Sequence, residues 1–345
     1  MSKLPREADY FVQHLRELGS QVREAVMRAR AGPGGGAAMA DAARESAADT
    51  IYGIDAEIEP LLVDFFERLS RKVPVVLIAE GLHDEAGREG ERRFGGSGEA
   101  VRMIVDPIDG TRGLMYDKRS AWFLAGVAAD RGEETRLSDI EAAVQVEIPL
   151  SKQGLADTLW AVRGGGAHGV RENLNGLERK SESWPLALRP SRAENITHGF
   201  ATVADFFPGT KELAGKLAEE IVEACIGPSD VRRATVFEDQ YISTGGQLYE
   251  LMMGHDRFVA DVRPMFYAIQ KRPAGLCVHP YDVASVLIAR EAGVEITDGM
   301  GGELDGPLDT TTGLSWAGFA NRALRARIEP VMTAVLRIWL EGGAA

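Results

Sequence analysis

Residues 101–111 read Val-Arg-Met-Ile-Val-Asp-Pro-Ile-Asp-Gly-Thr, a mainly apolar run that ends in two carboxylates set around a proline. The run to Val105 reads as a buried strand, and Pro107 fixes a backbone φ just past its end, so Asp106 and Asp109 stand at a rigid strand exit. Hard divalent cations such as Mg2+ take oxygen ligands: one or two carboxylates, at times a main-chain carbonyl, with water and substrate phosphate completing the shell. Asp106, the Ile108 carbonyl and Asp109 offer each kind of protein contact. Gly110 permits close backbone approach to a ligand, and the amides of Gly110 and Thr111 are candidates to donate to phosphate oxygens. The same residues also describe a solvated Asp-Pro/Asp-Gly turn, and only residues elsewhere in the chain shift the balance.

A chain of 345 residues can bury a large core, as one domain of two halves or as two domains. Its formal charge of -13 provides no basic field, so nonspecific binding to nucleic acid or anionic membrane is not expected, and a phosphate ligand must be met by local cations or metal. The two cysteines, Cys225 and Cys277, lie in no CxxC or Cys/His cluster and point to a reducing cytoplasm. Residues 1–10 contain no apolar signal region, and no later run approaches the ~20 apolar residues of a membrane span. The expectation is a soluble, unexported protein.

Apolar Phe11, Leu15, Leu18, Val22 and Val26 recur at helical spacing and predict an amphipathic helix over 10–30, ending at the glycine run 32–36, which reads as a loop. A second helix is expected over 56–71 with Asp55 at its N-cap. Residues 73–79 read as a strand that delivers Glu80 at its exit. Further strands fit 121–129, 142–148 and 158–163, with glycines 164–166 turning a hairpin. Residues 183–190 turn proline-rich and polar, which suggests an internal boundary and halves of 1–190 and 191–345. Beyond it the chain alternates: strand 196–205, helix 210–224, helix 246–253, strand 257–261, an irregular stretch, helix 282–292 closed by Gly293, strand 316–320 and helix 321–340.

Three further carboxylates share the placing of the first pair at the end or start of an element. Glu80 at its strand exit suits a second cation or the water it activates, or is a plain surface acid. Asp282 opens the helix 282–292 and is explained equally well as an N-cap worth ~1 kcal/mol. Asp55 has the same capping explanation, or accepts a hydrogen bond from the Thr111 hydroxyl and helps to polarise a water.

In order and setting these motifs resemble the inositol monophosphatase family, within the lithium-sensitive, metal-dependent phosphomonoesterases. The family's D-P-[IL]-D-G-T is matched by Asp106 to Thr111, its W-D-x-A-[AG] by Tyr281-Asp282-Val283-Ala284-Ser285 followed by Glu291-Ala292-Gly293, its G-E-E strand end by Ala79-Glu80-Gly81, and its T-x-x-D element by Thr50 to Asp55. The resemblance implies an α/β fold, a layered αβαβα sandwich with an antiparallel N-terminal sheet, a C-terminal α/β half and the active site between them. It implies Mg2+-dependent hydrolysis of a small phosphate monoester, an inositol or sugar phosphate. Glu80, Asp106 and the Ile108 carbonyl would hold one Mg2+; Asp106, Asp109 and Asp282 a second; a third would sit near Glu80. Gly110 and Thr111 would grip phosphate, Thr111 and Asp55 would orient the nucleophilic water, and Gly245, Gly246 and Asp261 would face the substrate ring. The resemblance also implies a homodimer and inhibition by Li+.

The chain departs from that pattern in places. Gly81 replaces the second Glu of the strand-end pair, with Asp84 or Glu85 able to compensate. Arg112 follows Thr111 where a small polar residue is usual, and either reaches a second anionic group or pairs with a surface acid. The segment 263–280, with Arg263, Lys271 and Arg272, is longer than the family's link. Rival readings are therefore a fructose 1,6-bisphosphate or 3′-phosphoadenosine 5′-phosphate phosphatase, or a non-catalytic relative that binds a metabolite or protein. His279 is expected as a packed or solvated residue rather than a ligand.

Overall fold

The computed structural model describes residues 4–31, 42–45, 50–83, 89–174, 182–228, 230 and 232–342, and only the backbone of 31, 42–45, 50–57, 81, 83 and 89. Helix α1 (Ala8–Ala31) buries Phe11, Leu15, Leu18, Val22 and Val26, the helically spaced set read from the sequence. A hairpin of β1 (Ala42–Glu45) and β2 (Thr50–Tyr52) leads into α2 (Gly53–Ser70), which turns Ile58, Leu62, Phe65, Phe66 and Leu69 into the same core.

That core lies on one face of an eight-stranded sheet. Its strands are β3 (Val75–His83), β4 (Glu89–Phe94), β5 (Val101–Asp109), then, after the one-turn helix α3 (Thr111–Met115), β6 (Ala121–Ala129), β7 (Ala142–Ile148), β8 (Leu155–Val162), β9 (Ala167–Asn173) and β10 (Ser183–Pro185). The order is β10-β9-β8-β7-β6-β5-β3-β4, antiparallel throughout except for the parallel pair β3 and β5. The second half contributes β11 (Phe200–Val203), α4 (Lys211–Ile226), α5 (Thr244–Met253), β12 (Asp256–Asp261), α6 (Arg263–Ile269), α7 (Val286–Glu291), β13 (Glu295–Thr297), β14 (Trp316–Phe319) and α8 (Arg322–Gly342). Its four strands form a mixed sheet of order β11-β12-β14-β13.

The two-residue period of the strands sorts side chains into separate cores. In β5, Met103 and Val105 pack under α1 and α2 while Ile104 faces the other way. In β12, Phe258 and Ala260 join the core under α4 and α8, and Val259 joins Ile104, Leu124 and the apolar residues of α5 and α7. Two helices, large sheet, two helices, small sheet and two helices therefore stack as αβαβα. Among the described residues no helix is long and apolar enough to cross a membrane.

Several expected boundaries move. Helix α2 begins at Gly53, so Asp55 lies in its first turn rather than at the N-cap; its side chain, the glycine run 32–36, Asp84 and Glu85 all fall outside the described residues. The strand expected over 196–205 is only Phe200–Val203. Residues 263–280 begin with a helix, α6, entered through Pro264, which suits a first turn because it lacks an N–H. Asp282 does not cap a helix. Residues 281–285 form successive tight turns, with Asp282, Ala284 and Val286 N–H donating three residues back to His279, Tyr281 and Val283, before α7 starts at Val286.

Candidate metal centre

Strands β3 and β5 run parallel with Ala79 opposite Val105, so Glu80 and Asp106 leave the ladder side by side. On the other flank, β5 pairs with β6 through Asp106–Leu124 and then Asp109–Trp122, one extra residue on β5. This bulge has a local cause. Pro107 offers no N–H to the ladder, and the Ile108 N–H turns instead to Asp106 Oδ1 at 3.0 Å. The extra residue reverses the alternation, so Asp106 and Asp109 reach the same corner instead of opposite faces. Gly110 follows with φ 92° and ψ 24°, left-handed, and a Cβ there would stand 2.9 Å from Ser243 Cβ. Glycine is required at this corner on both counts.

Asp109 is 6% exposed and sits at the N-terminus of α5. Its Oδ2 accepts from the Ser243 hydroxyl (2.8 Å) and the Gly245 amide (2.6 Å), and Oδ1 from the Thr244 amide (3.3 Å). The first amides of a helix satisfy a carboxylate well because they lack partners within the helix and carry the positive end of its dipole. Ser243 is also the N-cap of α5, accepting from Gly246 N–H at 2.9 Å. The amides of Gly245 and Gly246, expected to face a substrate ring, are thus bonded within the protein. Asp282, held by the His279 N–H at 2.6 Å, completes the corner: one oxygen each from Asp106, Asp109 and Asp282 lies within 4.8 Å of the others.

Three carboxylates this close cannot all be ionised in a buried site without a compensating cation. Burial first, then the charges of Asp109, Asp282 and Glu80, push the Asp106 carboxyl well above its ordinary range, against the opposing Ile108 amide. Burial and Asp282 raise Asp109 to about 8, in spite of its Ser243, Gly245 and Thr244 donors. Oxygen donors gathered at this cost fit a hard divalent cation. Glu80, beside Asp106, is close enough to act on it by charge.

The Thr111 hydroxyl donates to the Ile108 carbonyl at 2.7 Å. Asp261 departs further from expectation. It is 1% exposed, and its oxygens take Arg263 Nε at 2.8 and 3.1 Å, Nη2 at 2.6 Å and the Arg263 amide at 3.3 Å. Asp261, expected to face the substrate ring, is thus held in a buried ion pair with Arg263. Phe206 and Phe207 lie over the Arg263 guanidinium, and Phe207 also lies 5.4 Å from that of Arg112. His279 is packed, its ring stacked on Tyr281. Sequence reasoning missed the clasp of Ser243 on Asp109, although a serine ahead of a helix is the usual N-cap signal. It also missed the pairing of Arg263 with Asp261, for which two opposite charges one residue apart are too common a signal.

No protein-family model and no curated protein matches the chain. Solved structures do. The extragenic suppressor protein SuhB of Bartonella henselae superposes with a TM-score of 0.60 at 16% identity, over 94% of this chain and 98% of that one. The fold is that of the inositol monophosphatases. An inositol monophosphatase–fructose 1,6-bisphosphatase gives 0.60 at 18% identity over 92% and 98%, and an IMPase of Thermotoga maritima 0.57 at 17% over 96% and 98%. The inositol monophosphatase fold therefore spans nearly the whole chain, and the acid corner lies where β3, β5, α5 and the turn before α7 meet.

Proposed function

We propose that the chain is a metal-dependent phosphomonoesterase of the inositol monophosphatase family, acting on a small phosphate monoester such as an inositol or sugar phosphate. The observation that carries this reading is the convergence of Asp106, Asp109 and Asp282, from two separate segments, on one point with their oxygens within 4.8 Å. Asp106, Asp109 and Asp282 would hold one Mg2+, and Glu80, Asp106 and the Ile108 carbonyl a second. Bound there, the ions would supply charge neutralisation of the phosphate and a lowered pKa for the attacking water. The protein's own part is positional. The bulge at Pro107 sets the two acids of β5 on one side, α5 clasps Asp109, and the left-handed Gly110 turns the chain so that the Gly110 and Thr111 backbone meets the phosphate. The Thr111 hydroxyl, its proton on Ile108, presents a lone pair with which it can accept from and orient a water; Asp55 belongs to the same group in this reading. Residues 1–190 and 191–345 act as the two halves, with the site between them, and two such chains form a homodimer. A second reading, a substrate bearing two anionic groups, is favoured by the Arg112 cation stacked on Phe207 immediately after the phosphate-gripping residues.

Phosphate release from a panel of inositol, sugar and nucleotide monoesters, with Mg2+ and with chelator, tests the proposal. Mg2+-dependent release from at least one of them is expected. No release from any would favour the non-catalytic, metabolite-binding reading.

A further inference from the structure

The middle of the large sheet contains a polar side chain that the fold alone does not need. Gln145, in β7, is 0% exposed and shares its sheet face with Ala143, where an apolar residue would pack without cost. Both ends of its amide are bonded on one side of the sheet. Nε2 donates to the Gly245 carbonyl at 2.8 Å, and Oε1 accepts from the Ser285 hydroxyl at 3.0 Å. The orientation is fixed by chemistry, because a carbonyl can only accept and so must face the NH2 end.

Each partner belongs to a segment that carries an acid of the corner. Gly245 is the residue whose amide bonds Asp109 Oδ2, and Ser285, also 0% exposed, closes the run of turns that begins beside Asp282. The chain of contacts Asp109–Gly245–Gln145–Ser285 thus leads from one acid to the turn bearing another, which is 173 positions further along the sequence (282 − 109). Both segments rest on the neighbouring strand β6. A Cβ on Gly245 would meet Leu124 Cδ2 at 2.6 Å, and Leu124 is the residue directly opposite Gln145; a Cβ on Gly126 would meet the Ala284 carbonyl at 2.8 Å. Contact with β6 sets how deeply the two segments sit, and Gln145 hydrogen-bonds them to each other.

We infer that Gln145 is a positioning residue for the metal centre, fixing the spacing between the first turn of α5, which clasps Asp109, and the turn that carries Asp282. The inference rests on the metal reading of the acid corner. Groups that bond a ligand directly typically change metal affinity by 10- to 100-fold when removed, and Gln145 acts one step further back, through Gly245 and Ser285.

The test is calorimetric titration of Mn2+ into the full-length protein, with thermal unfolding of each variant in chelator. Gln145→Leu keeps the volume and removes both bonds; it is expected to weaken Mn2+ binding by about tenfold, the lower end of the effect of a direct ligand partner. Ser285→Ala breaks only the outer bond and should weaken binding in the same direction by less, and it decides the matter if Gln145→Leu does not fold. Val26→Ala, a core change under α1 remote from the corner, should lower the melting temperature and leave Mn2+ affinity unchanged. If Gln145→Leu and Ser285→Ala bind Mn2+ as the wild type does, whatever their melting temperatures, Gln145 is structural and the inference is overturned. If the wild type itself binds no Mn2+, the metal reading fails and takes this inference with it.

Discussion

Asp109→Asn should make the metal-free protein less sensitive to rising pH. Asp109 is sealed at the head of α5, and burial with the charge of Asp282 lifts its carboxyl to about 8, against ~3.9 in an unfolded chain. The native state then holds this proton more tightly than the unfolded state does. The ionised group therefore costs stability from its unfolded pKa upward, and the cost stops growing only above the folded value. Across that window the slope is ~1.4 kcal/mol per pH unit, so the raised carboxyl removes on the order of 3 kcal/mol between pH 5 and pH 7. Unfolding a chain of this length carries an entropy of ~0.7 kcal/mol/K, so this corresponds to ~4 °C in melting temperature. Asparagine keeps an acceptor for the Ser243 hydroxyl and the Gly245 amide while removing the charge. Calorimetry in chelator at pH 5, 6 and 7 should show the wild type losing ~4 °C more than the variant over the range. Mg2+ should recover that loss in the wild type and far less of it in the variant. Parallel curves for the two proteins in chelator would refute the reasoning, since they would mean that the native state does not hold a proton on Asp109 above its ordinary range.

Other outcomes follow from the same geometry. Gly245→Ala puts a methyl 2.6 Å from Leu124 Cδ2 and 2.9 Å from Asp109 Oδ2, so it should cost ~1–3 kcal/mol and raise the Mg2+ concentration for half-maximal phosphate release; a wild-type Mg2+ profile would count against the α5 clasp. Arg263→Met strands the buried Asp261 and should cost ~3–5 kcal/mol by calorimetry, with Asp261→Asn in the same chain recovering much of it; independent, additive effects would deny the pairing. Arg112→Ala should impair hydrolysis of bisphosphorylated substrates far more than of monophosphates, as kcat/KM for each shows; equal losses would exclude a contact to a second anion.

The elements most legible in the sequence were those whose pattern is local. Val22 and Val26 announce the buried face of α1, and largely apolar runs mark β6 and β7 to the residue. The D-P-I-D-G-T corner was legible too, because a proline and a glycine force its backbone whatever surrounds it. What the sequence left obscure depends on pairing between distant segments. Asp282 resembled a helix cap because an acid before an apolar stretch usually is one, yet the chain makes tight turns there to meet the acids of β5. Asp261 reads as a strand-end acid in the sequence, and only the fold reveals the Arg263 fork bonded to it. Gln145 gave no signal at all: a glutamine in an apolar strand acquires meaning only through Gly245 and Ser285, both more than 99 positions away.

Turnover by Asp106→Asn in saturating Mg2+ remains the sharpest trial of whether these acids work by gathering divalent cations. With phosphate release followed on the best wild-type substrate, the variant should fall to background while its melting temperature in chelator stays at or above the wild-type value, because a repelled charge has been removed. Near wild-type turnover by the variant, or wild-type turnover that persists in chelator, would contradict it.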